Sequence, residues 1–166
     1  MRRRQFFYRL AGLSGVLGAA WLAFRPVPAP KASAKVFEIT KSEDEWRKTL
    51  TAEQFYVLRQ HGTERPGTSP LLNEHRRGIF ACAACDLPLF SSETKYESGT
   101  GWPSFWAPID GAIETSVDRS LFMTRTEVHC RRCGGHLGHV FPDGPKPTGL
   151  RYCMNGVALQ FHPTRA

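Results

Sequence analysis

The chain has 166 residues, enough for one hydrophobic core of ordinary size and too few for two, so a single domain with a tail is expected. A hydrophobic fraction of 41% with 11% aromatics excludes a wholly disordered chain, and 15 Gly with 12 Pro suit a turn-rich, mainly β protein better than a helical bundle. The net charge of +7 would ordinarily raise nucleic acid as a partner, but Arg2, Arg3, Arg4, Arg9, Arg25 and Lys31 precede every acidic residue; the rest of the chain balances 16 basic residues against 15 acidic ones, which excludes the surplus a nucleic-acid binder needs.

Residues 1–34 read as an export signal and linker, leaving residues 35–166 as the functional domain. A basic start is followed by an uncharged run from Leu10 to Phe24, then by a Pro/Ala stretch ending in the small-x-small pattern Ala32-Ser33-Ala34. Fifteen apolar residues are short for a spanning helix, which needs about 20. Arg3-Arg4-Gln5-Phe6-Phe7 is similar to a twin-arginine export signal. The expected location is the bacterial periplasm, with membrane contact only during export or through an uncleaved signal.

Two helix starts follow. Ser42 with Glu45 and Thr51 with Gln54 each fit a capping box, predicting short helices that carry Trp46 and Leu50, then Phe55 and Leu58, with Gly62 ending the second. After a loop over residues 63–70 the chain shows only short apolar runs between turn residues. Candidate strands span residues 79–81, 112–117, 121–129, 137–141 and 150–161.

The strongest local signal is a pair of C-x-x-C motifs, Cys82-Ala83-Ala84-Cys85 and Cys130-Arg131-Arg132-Cys133. Four thiolates fill the tetrahedral coordination of Zn2+, so such a site is structural and closed to substrate. Gly134 and Gly135 follow the second pair, where a tight knuckle needs a residue able to take positive φ. Two disulfides, or a thioredoxin-like redox pair, compete with this reading.

If zinc takes four cysteines, Cys153 remains as the single free thiol. In an extended strand Arg151, Cys153 and Asn155 share one face, while Tyr152 and Met154 share the other. Arg151 would bring positive charge to the thiol, and Asn155 both a donor and an acceptor. His136 and His139, in Gly135-His136-Leu137-Gly138-His139, supply imidazoles suited to proton transfer near neutral pH. In Ser98-Gly99-Thr100-Gly101-Trp102-Pro103-Ser104-Phe105-Trp106, three aromatics gather in a Gly-containing loop that could wall a sulfur-bearing ligand or form a satellite core.

The succession C-x-x-C, SGTGWPSF, DRS, EVHCRRCGGHLGHVF and DGPKPTGLRYCMN resembles the type B methionine sulfoxide reductases over about Ser42 to His162. The resemblance implies a mainly β fold, a tent of two antiparallel sheets with short helices at its start, and one structural Zn2+ on Cys82, Cys85, Cys130 and Cys133. It implies reduction of the R epimer of methionine sulfoxide in oxidised proteins. By the same resemblance Cys153 is the nucleophile, and His136, His139 and Asn155 surround the sulfoxide oxygen. Trp102 receives the substrate methyl group, with Phe105 and Arg151 also expected at the substrate. Many relatives resolve the resulting sulfenic acid with a second cysteine at a position that matches Thr100 here; lacking it, this chain is expected to rely on an external, thioredoxin-like thiol reductant. A zinc-ribbon binding module with an incidental cysteine, or a disulfide-stapled domain, is the rival class.

Overall fold

The computed structural model describes residues 36–164, so the expected export signal lies outside the described residues. Both expected helices form. Helix α1 spans Glu43–Thr49 and α2 spans Ala52–Gln60, each opened by its full capping box. Acidic residues in the first turn and basic ones in the last complement both helix dipoles. Helix α2 ends one residue earlier than expected: His61, not Gly62, takes the left-handed conformation (φ 55°) and turns the chain. No helix among the described residues is long and apolar enough to cross a membrane.

The remainder is mainly β, as two antiparallel sheets. The strands are β1 (Gly78–Cys82), β2 (Pro88–Ser91), β3 (Lys95–Tyr96), β4 (Ser104–Phe105), β5 (Ile113–Asp118), β6 (Arg125–Cys130), β7 (His136–Phe141), β8 (Arg151–Met154) and β9 (Leu159–Pro163). A three-stranded sheet has the order β2-β1-β9, and a six-stranded sheet the order β3-β4-β8-β7-β6-β5. The core between helices and sheets is apolar, built on Trp46, Leu58, Phe80, Phe90, Phe105, Leu137 and Met154.

Two strand expectations need correction. Residues 121–129 do not form one strand: Ser120–Phe122 is a 3-10 turn and β6 begins at Arg125. Residues 150–161 are two strands in different sheets, separated by a 3-10 turn over Gly156–Ala158. The cause of that break lies 92 residues upstream. The buried carboxylate of Glu64 accepts the backbone N–H of Gly156 (2.5 Å) and of Val157 (2.9 Å), so the donors at the start of the turn are satisfied without a strand partner.

Candidate active site and cysteine cluster

The two C-x-x-C motifs form the tips of two hairpins, β1–β2 and β6–β7. Each tip places a left-handed residue four positions after its first cysteine, Asp86 (φ 58°) and Gly134 (φ 68°). At Gly134 the positive φ favours glycine, and a Cβ would stand 2.3 Å from the Phe37 ring, which would have to move. All four cysteines are free, and their sulfurs lie within 4.8 Å of one another, with Cys82 to Cys133 at 3.8 Å and Cys85 to Cys130 at 3.5 Å. A disulfide needs about 2.05 Å. Around Zn2+ at about 2.3 Å from each sulfur, the edges of the tetrahedron are about 3.8 Å, so the cluster fits a zinc site. Four sulfurs this close cannot all ionise without a counter-charge between them, which a divalent cation would supply by favouring four thiolates.

Cys153 sits in β8, between β4 and β7, paired with Ser104 on one side and His139 on the other. Residues directly opposite across an antiparallel pair project to the same face, so the thiol and the His139 imidazole share one. Both line a cavity of about 110 Å3 together with Thr63, Trp102, Phe141 and Asn155. Between the two histidines, Gly138 lets β8 approach closely: a Cβ there would stand 2.1 Å from the carbonyl oxygen of Cys153. Thr100 reaches the same thiol, its hydroxyl 3.8 Å from the Cys153 sulfur.

Each histidine is backed by its own carboxylate. His139 Nε2 lies 2.8 Å from Asp118 Oδ2, and His136 Nδ1 lies 2.8 Å from Glu127 Oε1. Asp118 is held well below the usual carboxylate range by hydrogen bonds from Ser120 and His139, and Glu127 by His136 and His61. Burial lowers the pKa of His139, while its bond to Asp118 opposes that shift. His136 faces a neighbouring cavity of about 700 Å3, and His139 lines both spaces. His139 is therefore the imidazole adjacent to the thiol.

Three expected site residues are placed differently from their sequence reading. Phe105 is fully buried, stacked on Phe90 with ring centroids 4.4 Å apart. Its register partner is Tyr152, so it lies on the face opposite Cys153 and belongs to the core. Arg151 is outside the wall of the thiol cavity. It holds Asp143 through two bonds (2.9 and 2.8 Å) and lies 4.4 Å over the Phe141 ring, so it braces a wall residue while keeping positive charge near the thiol. Asn155 lines the cavity, yet its amide is committed to backbone: Oδ1 accepts from Glu64 N and Nδ2 donates to Leu137 O, each at 3.0 Å.

Trp102 is where the sequence reading put it, on the cavity wall, with Nε1 donating to the Glu64 carbonyl at 3.2 Å. Glu64 was not legible as a site residue. Through its amide, carbonyl and carboxylate it ties together Asn155, Trp102 and the turn after β8. Asp118 and Glu127 were also missed, although each begins a segment that carries the family resemblance, DRS and EVHCRRCGGHLGHVF.

These features place a free thiol beside an imidazole on one cavity, set apart from a cluster of four cysteines. Comparison with known proteins agrees: the SelR domain family matches residues 50–163. The chain is 54% identical over 127 residues to the peptide methionine sulfoxide reductase MsrB of Agrobacterium fabrum, covering 76% of this chain and 94% of that protein. It is 55% identical to the MsrB of Leptospira interrogans (75% and 96% covered) and 57% to that of Methanosarcina barkeri (74% and 87%). The chain belongs to the SelR-domain family of type B peptide methionine sulfoxide reductases.

Proposed function

We propose that this protein reduces methionine-R-sulfoxide residues in oxidised proteins to methionine, with Cys153 as nucleophile. The observation that carries the mechanism is the register pairing of Cys153 with His139 on one cavity that Trp102 also lines. A sulfoxide sulfur must be attacked by a soft nucleophile while its oxygen gains a proton. The Cys153 thiolate attacks sulfur, the sulfur–oxygen bond breaks, and the oxygen ends on Cys153 as a sulfenic acid. Two electrons pass from the cysteine sulfur to the substrate sulfur, and methionine leaves. His139 delivers the proton, with Asp118 orienting its ring; the Trp102 indole packs against the methyl group. Selectivity for the R epimer rests on the family resemblance.

Among the described residues the four other cysteines belong to the cluster, so the sulfenic acid is met by an external dithiol, a thioredoxin-like protein. Reaction with that dithiol regenerates the thiol and yields water and the partner's disulfide. Cys82, Cys85, Cys130 and Cys133 would hold one structural Zn2+, which ties the two hairpin tips together and takes no part in the chemistry. The export signal read in residues 1–34 supports a periplasmic location, reached by the twin-arginine route. The test offers oxidised peptides as separated epimers with a dithiol reductant. Methionine should form from the R epimer alone, and Cys153→Ser should abolish turnover while keeping fold and metal. Equal use of both epimers, or activity within about tenfold of the parent (about 1.4 kcal/mol in barrier), would place the chemistry elsewhere.

A further inference from the structure

Beside the thiol cavity, three metal-binding side chains converge on one point that the reaction does not account for. His61 Nδ1 and His136 Nδ1 lie 2.9 and 2.8 Å from the same oxygen of Glu127, Oε1, and the two rings stand 5.3 Å apart. The other carboxylate oxygen is anchored by the Ser116 hydroxyl at 2.6 Å, which fixes the orientation of Glu127. His136 and Glu127 are buried on adjacent strands, whereas His61 caps α2 with 66% of its side chain exposed and is free to adjust. All three border the cavity of about 700 Å3, which has room for water ligands.

The geometry points to a second metal site, His61–Glu127–His136, which takes a first-row divalent cation such as Zn2+ or Co2+ and silences the enzyme by setting a positive charge beside His139. Two imidazoles and one carboxylate are a donor set that these cations accept with further positions open. In a tetrahedral zinc site, nitrogen and oxygen ligands stand about 3.4 Å apart. The present contacts need to open by only about half an ångström when a cation replaces the protons shared on Oε1. Ser116 supplies the hydrogen bond to the carboxylate that such sites use to orient a ligand. The cation would fix the His136 ring beside His139, whose ring centroid is 5.4 Å away, and place a positive charge next to the proton donor. The silencing half of this inference rests on the proposed reductase activity; the binding half does not.

The test starts from protein whose cysteine cluster already carries one equivalent of Zn2+, titrated with Co2+ and followed by visible absorption and calorimetry. The expected result is one further Co2+ per chain, with weak ligand-field bands and no thiolate-to-cobalt charge transfer, and with affinity falling at least about tenfold in His61→Ala. The single-turnover rate of the pre-reduced protein, measured without dithiol because dithiols bind the cation, should fall as the site fills and should resist Co2+ in His61→Ala. Each variant's own rate before Co2+ is added is the reference. Absence of a second equivalent, or one kept in His61→Ala but lost with its charge-transfer band in Cys153→Ser, would overturn the site. Binding as expected with an unchanged rate would overturn the silencing. A protein that reduces no sulfoxide but still binds Co2+ through His61 would remove the proposed activity and leave the site standing.

Discussion

Replacing Thr100 with cysteine tests the recycling scheme most directly. The Thr100 hydroxyl stands 3.8 Å from the Cys153 sulfur, so a thiol in its place has to close by roughly 1.8 Å to reach a disulfide length. The loop can supply that movement. Gly99 takes φ 73° with nothing near its Cβ position, whereas Gly101 is pinned by the bond from Gly67 N to its carbonyl at 2.8 Å. After one equivalent of sulfoxide and no reductant, Thr100→Cys should hold a 100–153 disulfide, and the parent a sulfenic acid that a dione reagent captures. The bridge closes a loop of about 54 residues, for which chain entropy gives about 4 kcal/mol. In a domain of about 130 residues that corresponds to a rise in Tm of about 15 °C. Mass spectrometry under non-reducing conditions and a thermal melt read both outcomes. If Thr100→Cys captures the dione as fully as the parent and melts at the same temperature, the position does not meet the nucleophile.

Three further outcomes follow from the polar network. Glu64→Ala leaves the buried N–H of Gly156 and the half-buried N–H of Val157 without partners, a loss of roughly 2–4 kcal/mol in chemical denaturation; KM for sulfoxide should rise as Trp102 and Asn155 shift with the loop. Asp118→Asn removes the bond that opposes the burial-driven lowering of the His139 pKa, so the imidazolium form retreats to lower pH. If that form supplies the proton, the alkaline limb of the single-turnover rate against pH moves to lower pH; an unmoved limb would assign the proton elsewhere. Cys130→Ser should lose both metal content and a cooperative melt, because structural zinc binding contributes roughly 10 kcal/mol or more, comparable to a domain's whole stability.

Features set by neighbours in the chain were legible in the sequence. The capping boxes located both helices, and the C-x-x-C spacing located both knuckles, because each depends on residues within a few positions. What required partners far away in sequence was not legible. Strands β2 to β4 are only two to four residues long and exist by pairing, β2 with β1, β3 with β4 and β4 with β8, so no periodicity marks them. The apolar alternation from Leu150 to Phe161 hid a break imposed by Glu64. Phe105 and Trp102 look alike in an aromatic loop; only the register of Ser104 opposite Cys153 shows which faces the thiol side and which the core. Asn155 shares the parity of Cys153, but its amide is drawn into backbone bonds by the turn that follows.

The placement of β9 has a consequence for how the molecule comes into being. Strand β1, which carries the first cysteine of the cluster, finds one of its two neighbours in β9, with partners 77 to 85 residues apart in sequence. Pairings of such long separation form late, since much chain must be ordered before they are rewarded. During synthesis β9 emerges after β8, so the central strand of the smaller sheet stays half-paired until Cys153 has already been made. A chain halted before residue 159 would leave an open edge on the strand that carries Cys82, a template for pairing with another chain.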